Sequence, residues 1–192
     1  GSATLTEISD EIELTKSTTH AYVSTLTDRG YLIKEGEGYR LSLKFLDHGT
    51  HVRHHYSIFH EISPLLRDLA QDTDGLVELT ILENGMEVPL QLIRGRRAVR
   101  TVDRVGHSYP AHATAAGKAM LSELPESRID AIIDRHGLPE TTENTITTRD
   151  ALLDKLKSIR ERGYAFNDGE LVDDIRAVAA PLNVEGYNQM AI

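Results

Sequence analysis

Residues 15–30 read Thr15-Lys16-Ser17-Thr18-Thr19-His20-Ala21-Tyr22-Val23-Ser24-Thr25-Leu26-Thr27-Asp28-Arg29-Gly30. The spacing in this stretch decides the fold of the amino-terminal part. Thr15 is a good N-cap, because its hydroxyl can accept the unpaired N–H groups two or three residues on. Gly30 ends the helix it begins. Thr19, Tyr22, Val23 and Leu26 recur at i, i+3, i+4 and i+7 and form the packing side. Ser17, His20, Ala21 and Ser24 repeat the spacing on the opposite face, which is free to meet another molecule. Upstream, Thr4 to Ile12 is a short helix with Leu5, Ile8 and Ile12 on one face, and Glu13-Leu14 is the turn. Downstream, Tyr31 to Lys34, glycines 36 and 38, and Tyr39 to Leu41 form a short hairpin. Helix, turn, helix and hairpin in this order is a winged helix-turn-helix over residues 1–45.

The pattern changes after residue 44. Lys44 to Ile62 reads as a histidine-rich linker helix, bounded by Pro64, and Leu65 to Ala70 opens a second domain. Leu76 to Leu82 is rich in strand formers. Asn84-Gly85 is a strong hairpin signal, since both central positions of that turn need positive φ. Met86 to Ile93 returns, and Pro89 requires an edge or a bulge there. Ala98 to Val102 is a third strand candidate. Helices are expected over Ala113–Glu123, stopped by Pro125, and over Ser127–Arg135, stopped by Gly137. A third uses Leu152, Leu153, Leu156 and Ile159 and stops at Gly163. Thr147 and Asp150 have the spacing of a capping box. Residues 164–166, 178–182 and 190–192 are strand candidates.

Composition narrows the function classes. The 192 residues carry 40% hydrophobic and 27% charged content, which is globular rather than disordered. No run approaches the ~18 apolar residues of a membrane span, and this stretch opens with no charged-then-apolar leader, so a cytoplasmic location is expected. The absence of Cys excludes disulfide scaffolds, thiolate zinc sites and cysteine nucleophiles. Net charge is −9, with 6 Lys against 15 Arg. This acid-rich, lysine-poor composition resembles that of haloarchaeal and other salt-loving proteins. Net negative charge opposes nucleic-acid binding, but in molar salt charges interact only within ~3 Å.

Three segments carry a family resemblance. Leu14 to Thr18, Leu26 and Arg29 to Leu32 resemble the winged-helix domain of IclR-family transcriptional regulators. Gly106-His107-Ser108-Tyr109-Pro110-Ala111-His112-Ala113-Thr114-Ala115-Ala116-Gly117-Lys118-Ala119 resembles that family's effector-domain signature, and 163–181 its C-terminal signature. The resemblance implies an α+β protein: winged helix-turn-helix at 1–45, a linker and dimerisation helix at 46–62, and a GAF-like α/β effector-binding domain at 63–192. It also implies a helix before Thr4, and a strand and helix after Ile192, outside this sequence. The expected function is a ligand-responsive, non-enzymatic regulator that binds operator DNA as a homodimer or dimer of dimers. No cofactor is implied.

Candidate site residues follow. Lys16, Ser17, Thr18, His20 and Ser24 face DNA, and Arg40 in the wing reaches a phosphate; the alternative is an ordinary solvated face. Ala21 stands where many relatives carry Arg. Residues 1–48 hold five basic and eight acidic side chains, a formal −3. For the effector, the resemblance points to backbone N–H groups at the start of the 113–123 helix, which suit a carboxylate. Ala115, Ala116, Gly117 and His112 stand there, with Asn167 and Ala177 where relatives often have Asp and Cys; His112 lines the pocket or, equally, holds the loop by a backbone hydrogen bond. Tight helix packing is the alternative for Ala115, Ala116 and Gly117. Gly117-Lys118 is no phosphate loop, since His112 and Ala119 occupy the places of its other glycine and its Ser or Thr. His48, His51, His54, His55 and His60 crowd one segment. His51 and His55 have metal-ligand spacing, but Val52 replaces the glutamate base of a zinc protease, so a solvated or dimer-interface role is favoured for this segment. The rival readings are a metal-dependent hydrolase at 48–60 and a small-molecule sensor without DNA binding. The run Arg94 to Arg100 is an exposed loop or an anion site.

Overall fold

The computed structural model describes the chain except residues 57, 99–103 and 185–186, and gives the backbone alone for 60, 183, 184, 187 and 188. It divides into two compact units, Gly1–Phe59 and His60–Ile192.

In the first unit, Thr4 caps α1 (Leu5–Glu11) through a reciprocal box with Glu7. The buried Ser9 hydroxyl closes the turn on the Leu14 carbonyl. Thr15 caps α2 (Lys16–Asp28) through the Thr18 N–H. Gly30, at φ +74°, ends it. The Tyr31 N–H reaches the Leu26 carbonyl and the Gly30 N–H reaches Thr27, which is a Schellman closure. Strands β2 (Leu32–Glu35) and β3 (Gly38–Leu41) form the hairpin, and β1 (Ala3–Thr4) adds to β3. One expectation for α2 needs correction. Thr19 and Val23 are buried, but Tyr22 and Leu26 remain 58% and 41% exposed within this chain.

The linker also differs from its sequence reading. Helix α3 (Lys44–His54) ends near His55, and α4 (Ile58–Thr73) then runs straight through Pro64. The break therefore precedes the proline. Ile62, Leu66 and Ala70 recur every four residues and are all buried, so burial of that stripe outweighs the missing N–H of Pro64.

The second unit is built on an antiparallel sheet ordered β6-β5-β4-β10-β9: β4 (Leu76–Glu83), β5 (Met86–Arg94), β6 (Tyr109–Pro110), β9 (Pro181–Val184) and β10 (Tyr187–Ala191). Asn84 and Gly85 turn the β4–β5 hairpin at φ +52° and +85°. Leu79 pairs with Gln91 but Thr80 with Pro89, so the ladder bulges at Leu90, beside the proline. Ser63 of α4 bonds Gln91 at 2.8 Å, which places α4 on one face of the sheet. Leu82 and Ala191 share a core with Ala115, Ala119, Met120, Leu152, Leu156 and Ile159, which places α5 (Ala115–Ser122) and α7 (Arg149–Arg162) on the other. Helix α6 (Glu126–His136) joins them, and β7 (Ala165–Asp168) pairs with β8 (Arg176–Ala179) beside α5.

Three local expectations shift. Helix α5 starts at Ala115 after a 3-10 turn over Ala111–Ala113, not at Ala113. The expected capping box at Thr147 is absent; Thr148 is the N-cap, with no side-chain bond, while Arg149 grips Glu126 and Asp130 of α6. The 178–182 candidate is two strands in two sheets, divided at Ala180. The third strand expected at Ala98–Val102 falls outside the described residues beyond Ala98.

Gly117 is fixed by sterics: a Cβ there would lie 2.3 Å from the Ala111 carbonyl oxygen and 2.5 Å from Thr114 Oγ1. Gly117→Ala is expected to lower the stability of the second unit by roughly 1–3 kcal/mol, because backbone must move. A urea unfolding curve with an unchanged midpoint would contradict this.

Candidate effector site and nucleic-acid interface

The expected effector residues gather around the start of α5, but the chain supplies its own ligand there. Thr114 caps the helix through the Gly117 N–H at 3.0 Å. The same N–H also donates to Glu87 Oε2 at 3.1 Å, and the Thr114 hydroxyl donates to that oxygen. Glu87 lies on β5 and is buried. A carboxylate does sit at this helix terminus, as the charge argument requires; it is a side chain. The N–H groups of Ala115 and Ala116 have no protein partner among the described residues. Ala115 and Gly117 are buried, and Ala116 is half-buried.

Asn167 is buried and acts as a clasp. Its Nδ2 donates to the Ala113 carbonyl at 3.1 Å, and its Oδ1 accepts the Glu170 N–H at 2.8 Å. Ala177 is its register partner on β8 and is exposed. His112 points elsewhere: it lines a cavity of about 100 Å³ with Met86, Leu121, Ile132 and Leu152. Its Nε2 donates to the Pro139 carbonyl at 3.1 Å. Burial pushes the His112 pKa down, opposed by that hydrogen bond. The structure thus brings Ala115, Ala116, Gly117 and Asn167 together, and sets His112 against a separate apolar recess.

Sequence reading missed a buried ion pair. Lys118 is fully buried on α5 and forms an ion pair with the buried Glu170. Desolvation pushes the Lys118 pKa down, and the bond to Glu170 opposes it. Thr141, Thr142 and Thr145 all donate to the Glu170 carbonyl, fixing the loop that carries its side chain.

In the first unit, Lys16, Ser17, Thr18, His20 and Ser24 are all exposed along α2. Two of the expected DNA contacts already have internal partners. The Thr18 hydroxyl lies 2.9 Å from that of Thr15. Arg40 pairs with Glu35 at 2.6 Å and donates to the Leu41 carbonyl. Of the histidines, His48 stacks on Tyr31, while the His51 and His55 rings meet edge to face at 4.9 Å and His55 uses Nδ1 on the His51 carbonyl. The side chain of His60 lies outside the described residues. No group of three metal-ligating side chains occurs among the described residues. In the basic run, Arg96 pairs with Asp74, and Arg100 lies outside the described residues. Among the described residues, no helix is long and apolar enough to cross a membrane.

A helix-turn-helix unit with an exposed polar second helix, joined to an α/β unit built round one buried helix, defines a DNA-binding regulator with a separate sensing domain. Residues 50–192 match the bacterial transcriptional regulator IclR C-terminal family, and residues 1–36 match the IclR helix-turn-helix domain. The chain belongs to the IclR family of transcriptional regulators. It is 32% identical to the HTH-type transcriptional regulator XynR of Escherichia coli over 180 residues, which is 93% of this chain and 71% of that protein. It is 31% identical to the probable HTH-type transcriptional regulator ArcR of Halobacterium salinarum over 183 residues, covering 93% and 70%. The IclR regulator structure from Alicyclobacillus acidocaldarius superposes with a TM-score of 0.81 at 25% identity, covering 99% of this chain and 78% of that one. An IclR homolog from Microbacterium hydrocarbonoxydans, complexed with 4-hydroxybenzoate, shares the fold at a TM-score of 0.79 and 22% identity, covering 99% and 79%. The protein is therefore a transcriptional regulator with a DNA-binding and an effector-binding domain.

Two outcomes follow from the buried polar groups. Glu170→Ala strands the Lys118 ammonium and should cost about 3–5 kcal/mol, whereas Lys118→Met with Glu170→Ala should recover most of the loss; urea midpoints of the three proteins decide it. His112 has its folded pKa below the ~6.5 of the unfolded chain, so the unfolded state binds more protons once pH falls to that range. Its stability contribution is full above about pH 6.5 and declines as pH drops toward the folded value. His112→Gln should flatten the fall in melting midpoint between pH 7.5 and 5; an identical slope in both proteins would refute the assignment.

Proposed function

We propose that the protein binds operator DNA as a homodimer or dimer of dimers, and that a small carboxylate-bearing metabolite at the start of α5 alters that binding. The division into winged helix-turn-helix (1–45), linker (46–62) and effector domain (63–192) belongs to this reading, as do a cytoplasmic location, the absence of enzymatic activity and adaptation to high salt. One observation carries the DNA half: α2 is closed at both ends by hydrogen bonds and offers Lys16, Ser17, His20 and Ser24 on a wholly exposed face. A helix of this kind enters the major groove and reads base edges with its N-terminal residues. Lys16 is the phosphate-directed cation, Arg40 reaches a phosphate only by leaving Glu35, and Thr18 contributes through its backbone position.

The effector half rests on the Ala115 and Ala116 N–H groups, which have no partner among the described residues, with Gly117 keeping the backbone open and Asn167 and Ala177 beside it. Carboxylates suit such N–H groups, and the 4-hydroxybenzoate held by the Microbacterium homolog is one. A metabolite shifts the DNA-reading arrangement only by binding two arrangements with different affinity. The formal −3 on residues 1–48 favours one second reading, a sensor that does not bind DNA.

A gel shift against the protein's own upstream region, at several salt concentrations, separates the two. A regulator gives a specific complex, and Lys16→Ala should weaken it by roughly tenfold while lowering the salt slope by about one. A complex indifferent to Lys16, or no complex at any salt, would remove the DNA reading. Sizing by light scattering tests the dimer.

A further inference from the structure

The position of Glu87 bears on which effectors the second unit accepts, and it rests on the reading that the effector binds at the start of α5. Glu87 pairs with Leu82 across the β4–β5 ladder. Directly opposed residues share a face of a sheet, and Leu82 packs with Ala115 and Ala119. The Glu87 side chain therefore projects from the sheet toward α5. There its Oε2 takes the Gly117 N–H and the Thr114 hydroxyl. These are donors that an arriving carboxylate would also seek.

A second observation marks the same layer. Thr80 stands two residues before Leu82, pairs with Ala191, and so faces α5 as well. It is 0% exposed, and its hydroxyl has no hydrogen-bond partner among the described residues. Buried hydroxyls without a partner are uncommon and costly. This unmet hydroxyl lies on the sheet face that packs on α5, where a small polar molecule would give it a bond that the protein lacks.

We propose that Glu87 is a specificity-determining residue of the effector site, a resident carboxylate that stands in for the effector's own. An incoming carboxylate must displace it from Gly117 or lie against it. Like charges crowded at one helix terminus disfavour each other. The uncharged analogue of the same shape meets no such repulsion. Glu87 thus lowers affinity for carboxylates selectively and leaves affinity for the matching amides unchanged.

The test uses the whole chain and two matched probe pairs, 4-hydroxybenzoate with 4-hydroxybenzamide, and acetate with acetamide. Glu87→Gln keeps an acceptor for Gly117 and Thr114 but removes the charge. Titration calorimetry should show 4-hydroxybenzoate binding tightened by roughly tenfold in this variant, with the amide unchanged within twofold. Glu87→Ala empties the place, and here the readout is the melting midpoint. Acetate should raise it in a saturable way above a chloride control, acetamide should not, and the wild-type protein should respond to neither. A purely structural cap would lower the midpoint of both variants without separating acid from amide. Equal tightening for acid and amide, or carboxylate affinity unchanged in Glu87→Gln, overturns the proposal while the effector site stands. If none of the four probes binds or stabilises any of the three proteins, the effector reading fails and this inference with it.

Discussion

Helix α5 is enclosed almost all round, and an enclosed helix must find every polar partner inside the protein. Each surrounding element lends one. Strand β5 supplies Glu87 to the first turn. The loop after β7 supplies Glu170 to Lys118. At the far end Arg160 of α7 donates to the Ser122 and Leu124 carbonyls at 2.7 and 3.1 Å, and the Ser122 hydroxyl turns back to Ala119. The small residues of the signature follow from the same constraint. Ala115, Gly117 and Ala119 let the sheet, the 3-10 turn and α7 approach the backbone, so the few polar groups can reach one another. A larger side chain at any of them would separate donors from acceptors as well as crowd the core.

What could be read from the sequence was local. Thr15, Gly30, the Asn84-Gly85 turn, Gly137 and Gly163 act on neighbours a few residues away, so their chemistry fixes their conformation. The bulge at Pro89 was legible for the same reason. The electrostatic partners were not. Thr114 and Glu87 are 27 residues apart, and Lys118 and Glu170 are 52 apart. A glutamate in a strand carries no mark of the helix it will cap. Pro64 misled because a local rule met a stripe of tertiary burial that overrode it. Tyr22 and Leu26 misled because helix spacing says which residues share a face, not whether anything covers it.

The first unit is held by different means. It buries little apolar surface, and threonine and serine hydroxyls carry much of the organisation. Thr19, Thr25 and Thr27 each bond the carbonyl four residues back, and Ser42 bonds that of Gly30. Lys44 joins the hairpin's exit to α2 by donating to the Arg29 carbonyl while lying 4.4 Å from the centre of the Tyr31 ring. Such a unit keeps the face of α2 free of packing duties. That freedom is what a base-reading helix needs, and it also explains why apolar periodicity along α2 was weak evidence for its inner side.

That arrangement also shapes how the protein meets a polyanion. Arg40 is committed to Glu35, Lys34 lies over Tyr39, and Lys44 serves α2. With a formal −3 on residues 1–48, little cationic surface remains to displace counterions from a duplex. In the proposed complex, affinity would then come mainly from hydrogen bonds by the short polar side chains of α2 and from ordered water, which salt weakens far less than phosphate pairing. Raised salt also relaxes repulsion between the acidic surface and the backbone. An acidic composition is therefore compatible with the operator-binding role proposed for α2, because base readout depends on donors and acceptors rather than on net charge.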